Sequence, residues 1–138
     1  MAAHPKMYMY KRVVEAKLYM EKHYAEPIDL NNISNQANFS KYHFLRLFKR
    51  SFGTSPHKYL TQIRLEKAKI LLQQNIPVGE VCFQVGFESI PSFIHLFKKK
   101  ENITPYEYTK RHIRVEKEKT NTPLSFVPHC FAQGFNLE

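Results

Sequence analysis

Several residue types are scarce in this chain of 138 residues, and each scarcity excludes a class of structure. Only four glycines and few stretches of alternating apolar and polar residues argue against a β-sheet protein. The two cysteines, Cys82 and Cys130, lack the spacing of a disulfide framework or a metal site, which fits a reducing compartment. No apolar stretch is long enough to cross a bilayer. Tryptophan is absent, yet eleven phenylalanines and eight tyrosines remain, so a folded core is expected.

Acidic residues are missing from one long segment, between Leu30 and Leu65. That segment holds six basic residues: Lys41, Arg46, Lys49, Arg50, Lys58 and Arg64. The whole chain has a formal net charge of +9, and the three acidic and three basic residues after Ile113 cancel, so the surplus lies before Arg114. A basic surplus indicates an anionic partner: nucleic acid, an anionic membrane surface or an acidic protein. The plainer alternative is a solvated basic surface without a partner.

The sequence contains an internal repeat, in which residues 76–109 follow the pattern of residues 28–60. An offset of 48 aligns Ile28 with Ile76 and Phe39 with Phe87. After one inserted residue, Phe44, Leu47, Phe48, Lys49, Pro56 and Tyr59 align with Phe93, Leu96, Phe97, Lys98, Pro105 and Tyr108. Each copy predicts a short helix, a tight turn, a longer basic helix and a Ser/Thr-Pro helix start. This order is typical of a helix-turn-helix unit.

Apolar spacing and helix-end signals predict an all-α protein. The expected helices cover about 9–25, 30–37, 41–52, 56–73, 78–85, 90–100 and 105–112. Asn38 suits the first turn, Ser40 and Ser89 suit helix starts, and Gly53 and Asn102 suit helix ends. The predicted organisation is a loose terminus (1–8), lobe one (about 9–54), a linker helix (about 56–73), lobe two (about 76–113) and a tail (114–138).

Two groups of residues carry a resemblance to a known family. The second copy has Gly86-Phe87, Phe93, Leu96 to Lys99, Thr104-Pro105 and Tyr108, and the linker has Pro56, Tyr59, Leu60, Arg64, Leu65, Ala68, Leu71 and Leu72. Over roughly Val13 to Ile113, the sequence resembles the DNA-binding domain of the AraC/XylS family of bacterial transcription regulators. The resemblance implies seven helices in two homeodomain-like lobes, joined by a long fourth helix, with the third helix of each lobe in the DNA major groove.

The sequence departs from this family in three respects. Asn102 stands where glycine is usual, and Pro91 begins the second recognition helix where a polar residue is commoner. These 138 residues are expected to hold no ligand-sensing domain ahead of the DNA-binding part and no small-molecule site. A stand-alone regulator and an excised C-terminal domain are both compatible with this arrangement.

The first recognition helix, about 41–52, has an outer face of Tyr42, Leu45 and Arg46, which we predict to contact bases. Arg46 suits a bidentate contact with guanine, and its alternative role is an intramolecular salt bridge. Tyr42 and Leu45 suit contact with a thymine methyl group. Phosphate contacts are expected from basic side chains and from capped helix starts. The candidates are Ser40, Lys41, Lys49, Arg50, Ser55 and Thr104.

The second recognition helix, about 90–100, presents Pro91, Ser92, Ile94 and His95 on the equivalent face. Because this face lacks Arg, Asn and Gln, we expect it to read bases weakly. Lys98, Lys99 and Lys100 are expected to contact phosphates. If His95 approaches DNA, binding should strengthen below about pH 6.5, where imidazole gains a charge. A surface histidine without a role is the alternative.

Catalytic and metal-binding patterns are missing from the sequence, so we predict no enzyme, cofactor or metal site. The expected function is sequence-specific binding of double-stranded DNA to regulate transcription, in the cytoplasm at the nucleoid. RNA polymerase is a candidate second partner, and no membrane partner is expected. One alternative is a protein-interaction module that docks on the transcription machinery through Tyr42, Leu45, Ile90 and Ile94. Another is a non-specific architectural binder of nucleic acid.

Overall fold

A computed structural model describes residues 5–36 and 40–121, and these residues form α-helices without any β-strand. The helices are α1 (Pro5–Lys22), α2 (Leu30–Gln36), α3 (Lys41–Phe52), α4 (Pro56–Gln73), α5 (Val78–Gln84), α6 (Ile90–Glu101) and α7 (Pro105–Asn121). The prediction of an all-α fold is confirmed. The bounds of α2 to α6 match the predicted ones to within one residue. None of the helices in the described residues is long and apolar enough to cross a membrane.

The outermost helices differ from their predicted bounds. Helix α1 starts at Pro5, so residues 5–8 are helical rather than part of a loose terminus, and it stops at Lys22, before Ala25. Proline is well suited to a first helical position, because the N–H that it lacks would have no intrahelical partner there. Helix α7 continues past His112 to Asn121. The predicted turn at Asn38 and the tail from residue 122 lie outside the described residues.

Side-chain pairs at helical spacing lie along the added turns of α7. The carboxylate of Glu116 lies 3.8 Å from Lys119 Nζ and 3.9 Å from His112 Nε2, at spacings of three and four residues along the helix. Pairs at these spacings support an exposed helix.

The same helix signals act in both copies of the repeat. The Oγ atom of Ser40 accepts a hydrogen bond from the His43 N–H, and that of Ser89 accepts one from the Ser92 N–H. Helix α3 ends at Gly53 with φ of 76°, and α6 ends at Asn102 with φ of 69°. The N–H group of each residue donates a hydrogen bond to the carbonyl oxygen four residues earlier, at 2.8 Å. Asparagine therefore adopts the left-handed conformation that glycine adopts in the first copy, as predicted.

The buried side chains form two separate hydrophobic cores, and α4 contributes to both. The first core is built from Val13, Ala16, Met20, Phe44, Leu47, Phe48 and Leu60. The second is built from Leu65, Ala68, Leu72, Val81, Cys82, Val85, Phe87, Phe93 and Phe97. Helix α4 contributes Leu60 to the first core and the next buried leucine, Leu65, to the second. Helix α4 therefore takes part in both cores.

Equivalent aromatic side chains fill the two cores in the same way. The ring centroids of Phe44 and Phe48 are 5.9 Å apart, and those of Phe93 and Phe97 are also 5.9 Å apart. Phe48 meets Tyr59 at 5.9 Å, and Phe97 meets Tyr108 at 5.7 Å. These spacings are typical of favourable ring pairs. The repeated sequence thus gives a repeated interior.

Small side chains occupy equivalent places in the short helices α2 and α5. Ser34 and Cys82 are both fully buried. Ser34 Oγ donates to Asn31 O at 2.9 Å, and Cys82 Sγ donates to Phe87 O at 3.9 Å. Burial raises the pKa of the Cys82 thiol, so this group stays protonated. A structural role for Cys82 follows, because the thiolate is the reactive form of cysteine.

Candidate nucleic-acid interface

The outer face of α3 carries an exposed arginine and an exposed tyrosine. Tyr42 is 69% exposed, and the Arg46 guanidinium carbon lies 5.5 Å from the centroid of the Tyr42 ring. Within the described residues, Arg46 forms no ion pair with a carboxylate, so the predicted alternative of a salt bridge is not found there. Leu45 is partly buried against the first core. The Tyr42 ring supports the guanidinium, whose N–H donors remain available to a ligand.

Basic side chains surround this face at both ends of α3. Lys41, Lys49 and Arg50 are all exposed. Lys49 and Arg50 lie in the last turn, where the helix dipole favours positive charge. The Ser40 hydroxyl caps α3 as an acceptor and keeps its own proton for a further hydrogen bond. Cations and a donor therefore flank Arg46, as a phosphate-contacting surface requires.

Helix α6 presents a less polar face. Pro91, Ser92 and His95 are exposed, while Ile94 is partly buried against the second core. Lys98, Lys99 and Lys100 are exposed in the last turn. Pro91 lies in the first turn, where its missing N–H leaves no intrahelical bond unmade. This face can attract an anion strongly, but it offers few donors to a base edge.

The other two predicted phosphate contacts lie at the starts of α4 and α7. At the start of α4, the Ser55 hydroxyl accepts a hydrogen bond from the Lys58 N–H at 3.2 Å and keeps a proton to donate. Thr104 is different, because the Glu107 carboxylate accepts from both its N–H, at 3.0 Å, and its hydroxyl, at 3.2 Å. The hydrogen bond from the Thr104 N–H is the main cause of the lowered pKa of Glu107. An ionised carboxylate thus occupies both donors of Thr104 and would repel a phosphate. We therefore withdraw Thr104 from the predicted phosphate contacts.

Each copy thus combines a short helix with a longer, exposed and basic helix that has defined ends, which is the arrangement of helix-turn-helix DNA-binding proteins. A family model for the helix-turn-helix domain matches residues 33–111, more than half of the chain. The chain belongs to the AraC-type helix-turn-helix family of transcription regulators.

Three similar proteins illustrate the relationship. The uncharacterized HTH-type transcriptional regulator YbfI of Bacillus subtilis is 42% identical over 69 residues, which is 50% of this chain and 25% of YbfI. The bifunctional transcriptional activator and DNA repair enzyme AdaA of the same organism is 35% identical over 91 residues, 65% of this chain and 43% of AdaA. A solved transcriptional regulator of Chromobacterium violaceum, with an AraC-type DNA-binding domain, is 33% identical. Its TM-score is 0.65, over 74% of this chain and 92% of that one. The chain thus spans less than half the length of these two curated relatives.

Proposed function

We propose that this chain binds double-stranded DNA in a sequence-specific manner and regulates transcription, reading two adjacent major-groove segments with α3 and α6. The exposed Arg46 on α3, a basic helix without an acidic residue, carries this proposal, together with membership of the family. The helices would form the seven-helix tandem of two homeodomain-like lobes, with α4 as the linker and residues 9–113 as the DNA-binding unit. The two recognition helices would enter grooves about 34–36 Å apart, one helical turn of DNA.

Helix α3 would supply most of the base recognition. The Arg46 guanidinium would donate two hydrogen bonds to O6 and N7 of a guanine, which is worth roughly 1–3 kcal/mol of discrimination. Tyr42 and Leu45 would contact a thymine methyl group, with Leu45 held in place by its packing on the core. Five groups would bind phosphates and set the register of the helix: Ser40, Lys41, Lys49, Arg50 and Ser55.

Helix α6 would contribute more to affinity than to specificity. Lys98, Lys99 and Lys100 would contact phosphates, and this contribution would weaken as salt rises. Pro91, Ser92, Ile94 and His95 would approach the bases through apolar contact and a single imidazole. The stronger half of the target site would therefore lie under α3.

Further properties of the whole protein follow from this role. The chain would act in the cytoplasm at the nucleoid, as a regulator rather than an enzyme, with RNA polymerase as a second partner. A pure protein-interaction module is a weaker proposal, because Leu45, Ile90 and Ile94 are partly buried against their own cores.

Selection of bound duplexes from a random library, at near-physiological salt, tests the proposal. The intact chain should enrich a two-part motif. The variant Arg46→Ala should lose affinity by about 5- to 150-fold, which corresponds to about 1–3 kcal/mol, and should relax only the half under α3. Arg12→Ala is the control, since Arg12 lies on α1, outside both recognition helices. Salt-sensitive binding without any enriched motif would refute sequence-specific reading and leave an architectural binder.

A further inference from the structure

One side chain of the linker helix reaches into the first lobe. Arg64 of α4 donates from Nε to the carbonyl oxygen of Tyr24 at 2.7 Å, and from Nη2 to that of Glu26 at 3.1 Å. Both carbonyl groups belong to the segment between α1 and α2. Arg64 is partly buried, and burial lowers the pKa of its guanidinium, although an arginine stays charged at neutral pH. Two charge-assisted hydrogen bonds therefore hold the α1–α2 segment against α4.

The same side chain lies against the second lobe. Gly86, in the turn between α5 and α6, has φ of 102° and no room for a side chain. A Cβ atom there would lie 2.8 Å from Arg64 Nε and 2.8 Å from the Tyr24 carbonyl oxygen. The Arg64 guanidinium carbon is also 5.9 Å from the centroid of the Phe87 ring. The α1–α2 segment, the linker helix and the α5–α6 turn therefore meet at Arg64.

The ring of Tyr24 strengthens this meeting point. It packs against the first core and also against the second. The Nζ atom of Lys67, one turn after Arg64 on α4, lies 5.6 Å from the centroid of the same ring. The two lobes are thus joined by contacts at Tyr24, Arg64 and Gly86 as well as by the continuous helix.

The position of this contact bears on how the recognition helices are held. Gly86 and Phe87 come just before α6, which starts at Ile90. A shift of the α5–α6 turn relative to Tyr24 would therefore move α6 relative to the lobe that carries α3. Moving a half-site by one base pair displaces it by about 3.4 Å and rotates it by about 35° around the DNA axis. Two lobes held in direct contact cannot change their relative position enough to bind a half-site that has moved in this way.

We propose that Arg64 is a positioning residue that fixes the spacing between the two DNA half-sites by clamping the α5–α6 turn to the α1–α2 segment. This inference rests on the proposed function of α3 and α6. Arginine suits the role because its planar group directs two N–H donors at two carbonyl groups at once, whereas the single ammonium group of lysine lacks this fork. Arg64 touches no base in this scheme, so it sets the distance between half-sites and not their sequence.

Two measurements on the full chain test the inference. The first is selection from a duplex library in which the two half-motifs are separated by spacers of different length. The second is the set of backbone N–H residual dipolar couplings, which shows whether the lobes share one orientation. The variants are Arg64→Lys and Gly86→Ala, which disturb the contact from opposite sides. Arg12→Lys is the matched control, because Arg12 bonds only within α1 among the described residues.

The expected results distinguish this role from a general loss of structure. Wild type and Arg12→Lys should prefer one spacing, and a single alignment tensor should fit both lobes. Arg64→Lys should accept other spacings several-fold more often with unchanged half-motifs, and its lobes should need separate tensors. An unchanged spacing preference with one shared tensor would overturn the inference.

Failure of the proposed function would give a different pattern. If wild type enriches no two-part motif, sequence reading by two helices is refuted, and the couplings alone decide whether Arg64 clamps the lobes. If Arg64→Lys does not fold, Gly86→Ala gives the same test from the other side of the contact, with the same expected and contrary results. Lobes of wild type that need separate tensors would also overturn the clamp.

Discussion

Replacement of Phe48 by alanine tests the interior of the first lobe most directly. Phe48 is fully buried, and its ring centroid lies 5.9 Å from Phe44, 4.8 Å from Phe52 and 5.9 Å from Tyr59. Truncation of such a side chain removes its transfer free energy and leaves a cavity, which together cost about 3–5 kcal/mol. A domain of this kind is stable by only about 5–15 kcal/mol, so Phe48→Ala should lose a large part of its stability.

The assay is urea unfolding followed by circular dichroism of the helices, because the chain has no tryptophan to report by fluorescence. The midpoint should fall by on the order of 2 M while the slope with urea stays the same. Phe97→Ala should lose a similar amount, since Phe97 is equally buried in the equivalent place of the second lobe. Phe83→Ala is the matched control: Phe83 is 56% exposed, and its loss should cost about 0.5 kcal/mol.

A loss below about 1 kcal/mol for Phe48→Ala, with an unchanged urea slope, would refute this reasoning. Such a small loss would mean that the three surrounding rings move to fill the cavity that the truncation leaves. A changed slope would indicate instead that the variant alters the unfolded state or unfolds in more than one step.

Two further predictions concern the helix ends. Gly53 has φ of 76° and open space around the position of a Cβ atom, so Gly53→Ala should cost only the backbone strain, about 1–2 kcal/mol, in urea unfolding. Gly53→Asn should cost less, since Asn102 adopts this conformation in the other lobe; equal costs would contradict the argument. Hydrogen bonding lowers the pKa of Glu107 in the folded state, so its charge stabilises the fold above its ordinary pKa of 4.5 and stops doing so as the pH falls through the lowered value. Glu107→Gln should therefore melt at a lower temperature than wild type at pH 7 and at the same temperature in strong acid. A difference in melting temperature that does not change with pH would contradict this reasoning.

Local signals made most of the fold predictable from the sequence. A serine cap and a left-handed glycine or asparagine act within four residues, so the ends of α3 and α6 follow from Ser40, Gly53, Ser89 and Asn102. The internal repeat then indicated the buried rings. The apolar pattern ends α7 too early, because its last turns have little apolar surface and carry exposed charge pairs such as Glu116 with Lys119.

The candidate interface was less predictable than the fold. The exposed face of Arg46 followed from helical spacing, but the partial burial of Leu45 and Ile94 depends on how tightly each helix packs. The Thr104 contact was predicted although the signal against it was present, since the same capping box that starts α7 occupies the donors of Thr104. The Arg64 contact could not be foreseen, because its acceptors are 40 and 38 residues away in the chain and are backbone atoms.

The duplicated interior has a consequence for protein engineering. Helices α3 and α6 share their caps, their ends and their buried rings, and they differ mainly in the side chains that face outward. The outward-facing side chains can therefore be exchanged between the two helices without changing the buried ones. A chain that carried the tyrosine and the arginine of α3 at the equivalent places of α6 should fold unchanged and prefer a tandem direct repeat as its target. Either helix could then carry new base-contacting side chains while its buried side stays the same.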